Sequence, residues 1–434
     1  MYLDGSVQTL LPARHYGLSC SNCNAIISDD GYLLSCSKCE VPSLLTSDYR
    51  RKVFTISPNE DGIYRYRDWL PIWRTMNGSA STVTFQSAKI SALTGLRNLW
   101  IAFNGYWPEK GAFFVTCSFK ELEAYSVLGR IPDESNKILT VASAGNTAAA
   151  FAHACSANSI PVLIIVPEVA LSKMRFSMPI ASCVKIVAIT GYGDYMDAIR
   201  VAESITTMDQ FFPEGGAHNV GRRDGLGTVL LNVFETIGRL PDYYFQAIGS
   251  GTGAIAIHET ATRLTGKKGT VPHLYLSQNL PFAPIHRCWR ASSKSWLAVD
   301  ENEAKDQIAQ IQAPVLANRR PPYSIRGGLY DALVNSKGDT FAVTNEEALA
   351  AARLFEEIEH IDLEPAAAVA FASLLIAVKS GVVPNEATVL LNITGGGGRR
   401  YASDFQLHQH QANLLISADK VGTGFDVQEI LKQY

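Results

Sequence analysis

Short apolar runs bounded by turn residues recur from about residue 50 onward: LWIAFN (99–104), ILTVAS (138–143), PVLIIVP (161–167) and YYFQAIGSG (243–251). Near-continuous apolar stretches of this length predict strands covered on both faces, as in a parallel sheet. Alanine-rich stretches follow several of them, among them TAAAFAHACSAN (147–158), AIAIHETATRL (254–264) and PAAAVAFASLLIAVKSG (365–381). Each has the small-residue, one-faced pattern of a helix packed on a sheet, so the expected class is α/β. No period of 20 to 50 residues repeats, which excludes a repeat architecture.

The N-terminal segment reads differently. Cys20-Ser-Asn-Cys23 and Cys36-Ser-Lys-Cys39 form two knuckles separated by twelve residues, a spacing that can bring four thiolates around one tetrahedral zinc ion. Ser28, Asp29, Asp30 and Gly31, followed by YLL, predict a tight turn between two short strands, as in a zinc ribbon. Four thiolates leave no open position, so such a zinc would be structural; a cap without metal is the alternative. Cys117, Cys155, Cys183 and Cys288 are scattered, which is no disulfide framework.

The chain has 434 residues, enough for two large domains and a smaller unit. Hydrophobic residues at 47% and charged residues at 18% exclude a disordered, collagenous or coiled-coil chain. Thirty-eight Lys and Arg against 41 Asp and Glu, with no recurring basic block, argue against nucleic acid as a partner. The opening MYLDGSVQTLLPARHYG lacks the pattern of a secretory leader, and the apolar runs fall short of a membrane span. A cytoplasmic protein with no membrane contact is expected.

Three strand ends carry chemistry. In Ser118-Phe119-Lys120-Glu121-Leu122-Glu123-Ala124 a lysine opens a predicted helix among apolar neighbours, and desolvation there suits an amine to Schiff-base chemistry. A lone lysine at a helix start is more often solvated. Ser143-Ala144-Gly145-Asn146-Thr147 lies between a strand and a helix, where free N–H groups can bind a carboxylate and Asn146 can bond a planar ring. The plain alternative is a capped turn. Gly249-Ser250-Gly251-Thr252-Gly253 offers consecutive N–H groups to a phosphate, without the G-K-[ST] ending of a nucleotide P-loop or the G-x-G-x-x-G dinucleotide pattern.

Together these loops meet the needs of pyridoxal phosphate: an amine for its aldehyde, a donor for its ring hydroxyl and a cup for its phosphate. Near the C-terminus LLNITGGGG (390–398) ends a strand in Thr394, a neutral hydroxyl partner for the ring nitrogen. Such a partner leaves that nitrogen unprotonated and favours elimination and replacement.

These motifs, with FNGYWPEKG (103–111), PDYYFQAIGSGTGAIA (241–256) and LYLSQNLPFAP (274–284), resemble the fold-type II pyridoxal phosphate enzymes of the threonine synthase group, and within it the cysteate synthase family. The resemblance implies a tryptophan synthase β-like fold with three parts. A zinc-ribbon-like segment spans 1–48, a large cofactor-binding domain spans 49–125 and 230–434, and a small mobile domain spans 126–229. It implies that Lys120 binds the cofactor aldehyde, Asn146 its ring hydroxyl, the 249–253 loop its phosphate and Thr394 its ring nitrogen. The 143–147 loop would hold the substrate. The stretch from Asn219 to Gly225 is similar to a threonine synthase motif whose arginine faces the substrate phosphate, which makes Arg222 a candidate clamp.

The implied reaction replaces the phosphate of O-phospho-L-serine with sulfite, giving L-cysteate for coenzyme M or another sulfonate, in a homo-oligomer. Threonine synthesis from phosphohomoserine, or an amine or thiol nucleophile on phosphoserine, are the alternatives on the same scaffold. A non-catalytic zinc-ribbon binding protein is the alternative of another class. One departure stands out: Cys117 occupies a position where the family usually has glycine, which puts the attacking group in question.

Overall fold

The computed structural model describes residues 14–266, 269–297 and 299–433. Residues 1–13, most of the stretch read as lacking a leader, lie outside the described residues.

Two sheets organise the chain. The larger runs in the order Asp339–Val343, His273–Asn279, Tyr243–Ala247, Thr388–Ile393, Asn98–Phe103 and Val83–Gln86. Its neighbours are parallel except the last pair, which is antiparallel. Thr388–Ile393 is buried at every position, as a central strand covered on both faces must be. Its alternate residues face opposite ways: Leu390 packs with Tyr244 and Ile255, whereas Leu391 packs with Phe371 and Val369.

The smaller sheet is all parallel, in the order Phe211–Pro213, Ile138–Ala142, Val162–Pro167, Val184–Thr190 and Leu414–Ser417. Its last strand comes from near the C-terminus, outside the 126–229 span in which the other four lie. Ile416 there joins Leu163, Ile165 and Val187 in one apolar cluster. Pairing with 414–417 satisfies backbone groups that Val184–Thr190 would otherwise expose as a bare edge.

The helix Lys120–Arg130, here the lysine helix, packs against the long helix Val220–Ile237. Gly225 makes this contact possible, since a Cβ there would lie 2.4 Å from the Leu122 carbonyl oxygen.

At the N-terminus Tyr16–Cys20 pairs antiparallel with Ile26–Ile27 and Leu45–Tyr49. The expected strand at residues 32–34 does not form, so the 28–31 segment does not join two strands as a tight turn. Instead the Asp29 carboxylate is buried. It accepts hydrogen bonds from Arg130 at 2.7 and 2.9 Å and from the Tyr16 hydroxyl at 2.6 Å, while the Leu33 carbonyl accepts another from Arg130 at 2.7 Å. A buried carboxylate needs a cation, and that need draws the segment onto the end of the lysine helix instead of into a hairpin. Among the described residues no helix is long and apolar enough to cross a membrane.

Candidate active site

A cavity of about 890 Å³ is lined at the carboxyl ends of strands from both sheets, by Thr140 and Ala142, by Ala247 and Gly249, and by Thr394. This is where parallel sheets leave backbone groups and loops free for ligands. Lys120, the whole of 143–147, the whole of 249–253, Arg222 and Thr394 line the same cavity. Lys120 and Thr394 are brought together because Ser118 bridges to Gly395 and the Phe119 N–H donates to the Thr394 carbonyl at 2.9 Å.

The loops present their chemistry unevenly. The Ser143 hydroxyl accepts from the N–H groups of Gly145 and Ala148, both at 3.0 Å, and so ties the loop to the first turn of the helix Asn146–Ala157. The Thr147 hydroxyl donates to Glu123 at 2.9 Å. The side chains of Asn146 and the hydroxyl of Thr394 have no protein hydrogen-bond partner among the described residues. In the glycine loop, Gly251 takes a left-handed conformation (φ 79°) and the Ser250 and Thr252 hydroxyls are 2.8 Å apart at the start of the helix Thr252–Thr265. The first turn of that helix leaves backbone N–H groups without intrahelical partners.

Charge in the cavity is organised by Glu123, which sequence reading missed. It is fully buried, accepts hydrogen bonds from Lys120 Nζ at 3.1 Å and from the Thr147 hydroxyl, and forms an ion pair with Arg222 Nη2 at 3.1 Å. Arg222 Nε also donates to Glu214 at 2.7 Å. Burial lowers the Lys120 amine below the ordinary lysine value, with Glu123 opposing. Against burial, Glu123 and Glu214 hold Arg222 firmly protonated. The available signal for Glu123 was a carboxylate three residues after Lys120, one turn along the same helix.

Glu121 is the other buried acid of the lysine helix. Burial pushes it up to about 7, although the Thr116 N–H (2.6 Å) and hydroxyl (2.8 Å) both donate to one of its oxygens; the other oxygen has no partner. An acid whose pKa is raised by folding keeps its proton in the native state while the unfolded chain loses it. Stability therefore falls as pH rises from the ordinary 4.5 toward 7, by at most about 3 kcal/mol. Glu121→Gln is expected to unfold at higher urea than the parent at pH 8 and at about the same urea at pH 4.5. Equal midpoints at both pH values would show that Glu121 ionises normally.

A model of the family described as pyridoxal-phosphate dependent enzyme matches residues 87–395. The cysteate synthase of Methanosarcina acetivorans is 43% identical over 404 residues, covering 92% of this chain and 96% of that protein. That of Methanosphaerula palustris is 44% identical over 408 residues, covering 93% and 95%. The chain belongs to the cysteate synthase family. Among solved structures, maize serine racemase shares the fold with a TM-score of 0.54 at 18% identity, over 74% of this chain and 92% of that one.

Membership makes this a pyridoxal phosphate enzyme of fold type II, and the cavity of this cysteate synthase relative fits that cofactor. An amine, a glycine loop at a helix start, an unpartnered amide and an unpartnered hydroxyl line one wall system. Positions 251 and 253 are crowded: a Cβ on Gly251 would lie 2.5 Å from Leu329, and one on Gly253 would lie 2.7 Å from the Gln246 amide.

Two cysteine expectations are sharpened. The Sγ atoms of Cys20, Cys23 and Cys36 lie within 4.8 Å of one another, and the Lys38 N–H points to Cys36 Sγ at 3.4 Å. Against the desolvation of its site, N–H donors from Cys23 and Asn22 and the Ser43 hydroxyl bring the Cys20 thiol down to about 6. Cys39 lies outside this trio, with its Sγ 2.9 Å from the Asn22 amide nitrogen. Cys117 has φ 53°, a left-handed conformation that glycine adopts without strain. Its side chain packs with Tyr106 and Tyr401 and does not line the main cavity. Its thiol is pushed up by burial and by Glu121 and Glu364.

Proposed function

We propose that the protein converts O-phospho-L-serine and sulfite to L-cysteate and phosphate. The observation that carries this reading is the single cavity in which Lys120, the 249–253 loop, the 143–147 helix start and Thr394 meet. Names shared with relatives that are 43% and 44% identical over nearly the whole chain support it.

Pyridoxal phosphate, when bound, supplies the conjugated ring that draws electrons from the α-carbon, so that the α-proton can be removed and the β-phosphate can leave. The protein does the rest. The 249–253 loop would hold the cofactor phosphate, Asn146 would bond the ring hydroxyl, and the neutral Thr394 hydroxyl would meet the ring nitrogen. The N–H groups of 144–147 bind the substrate carboxylate, and Ser143 keeps that helix start in place. Lys120 takes the α-proton at Nζ and later returns it; its lowered pKa makes the neutral amine accessible. Glu123 holds that amine and Arg222 in fixed relation. Arg222 Nη1, which has no protein partner among the described residues, faces the departing phosphate as a charged donor. Over the whole reaction one C–O bond breaks and one C–S bond forms at the β-carbon.

Among the ion pairs that join residues of 126–229 to the rest of the chain, Lys173 meets Glu364 at 2.8 Å and Arg319 meets Asp194 at 2.5 Å. They suit a small domain that closes over the substrate and excludes water. We also propose that Cys20, Cys23 and Cys36, with Cys39 as fourth ligand, hold a structural zinc, and that the enzyme works as a homo-oligomer in the cytoplasm.

The deciding assay is phosphate release from phosphoserine with and without sulfite, with mass analysis of the amino acid formed. Sulfite-dependent cysteate, equimolar with phosphate, is expected. Threonine from phosphohomoserine without cysteate would replace the reading by its nearest rival on the same scaffold.

A further inference from the structure

A second hollow of about 280 Å³ shares a lining residue, Glu364, with the main cavity. Its wall carries two cations, Lys173 and Arg175, with Thr116, Ser172 and Tyr401. Lys173 Nζ meets Glu364 at 2.8 Å, and its stem lies against the 143–147 loop: a Cβ on Gly145 would be 3.2 Å from Lys173 Cγ. The Lys173–Glu364 pair thus stands beside both the hollow and the substrate loop. Arg175 is exposed and has no acidic partner among the described residues.

The reaction proposed above must admit a second anion while the first still carries, or has just shed, its phosphate in the main cavity. Two like charges in one channel repel, and the repulsion grows as water is excluded. A separate cationic entrance removes that conflict. We propose that this hollow is the port for the small oxyanion nucleophile. Arg175 receives the oxyanion at the surface, and Lys173 passes it through by exchanging its Glu364 partner for the incoming charge. The inference rests on the phosphoserine and sulfite reading and adds to it where sulfite enters and which residues select it. Cys117, on the wall of the same hollow, gives it a close-packed floor and takes no chemical part.

The test uses the holoenzyme. Arg175→Gln, at an exposed position where folding is not at stake, is expected to raise the KM for sulfite about tenfold while leaving the KM for phosphoserine within twofold; Arg175→Lys should restore most of the loss. Lys173→Met should act in the same direction and more strongly. A direct readout is a crystal of the holoenzyme soaked in selenite, a sulfite analogue, with anomalous density expected between Lys173 and Arg175. An unchanged KM for sulfite in both variants overturns the port. So does a change confined to inhibition by added inorganic phosphate, which would make the hollow an exit for the leaving group. If the parent enzyme forms no cysteate at all, the function reading fails, and the selenite density still decides whether the hollow binds an oxyanion.

Discussion

Lys120→Ala is expected to lower cysteate formation by about a thousandfold or more, and to leave the protein with much less bound cofactor after gel filtration. Both effects follow from one atom. Lys120 Nζ is the amine on the cavity wall shared with the 249–253 loop, and it is held at 3.1 Å by a fully buried carboxylate. General base catalysis by a placed group is worth about 10²- to 10⁴-fold, before any loss of cofactor anchoring is added. Lys120→Arg separates the two contributions of the residue. It keeps the charge opposite Glu123, and so the electrostatic arrangement with Arg222, but a guanidinium cannot give up its proton near neutral pH. Arginine should therefore preserve folding without restoring turnover. Retention of more than a tenth of the parent rate in Lys120→Ala would mean that another group moves the α-proton.

The second large effect is expected far from the cavity. Asp29→Ala should cost about 3–5 kcal/mol of stability, seen as an early unfolding transition in urea, because it leaves Arg130 and Arg14 buried without their shared carboxylate. Arg130 is 1% exposed and ends the helix that Lys120 begins, and its Nη1 also donates to Asn219 at 2.9 Å. Asn219 in turn caps the helix that carries Arg222. The N-terminal segment is thus tied to the two helices that carry Lys120 and Arg222. Burial acts against the charged form of Asp29, but the bonds from Arg130 and the charge of Arg14 outweigh it and hold the carboxyl below its ordinary value. The stability it contributes is accordingly full above pH about 4 and lost as pH falls below that. Asp29→Asn, which retains some of the hydrogen bonds, should lose less. A change under 1 kcal/mol in Asp29→Ala would show that the two arginines find water or other partners.

The strand, loop and helix units were legible along the chain because each depends on neighbours a few residues away. Apolar runs such as ILTVA form strands wherever both faces are covered, and the glycines of 249–253 free backbone donors whatever lies around them. Lys120, Asn146, Thr394 and the glycine loop could be picked out for the same reason, each standing at the end of a local pattern. The resemblance to the family rested on those same motifs, and the match over residues 87–395 and the 43% identity to a relative established the membership.

Other features depend on residues far apart in the chain. Asp29 reads as a turn residue until Arg130, 101 positions later, makes it a buried anchor and removes the strand expected after it. Arg222 reads as a free clamp until Glu123 and Glu214 take part of its charge. The small sheet gains an edge strand from 414–417, and Lys173 meets Glu364, which lines both hollows, across 191 residues. By itself the sequence determined which segments form elements and which loops carry donors, since backbone geometry and burial are set locally. Only the tertiary structure decided which charge answers which, because a buried ion settles its partner through desolvation and distance, and neither is a property of the residues beside it in the chain.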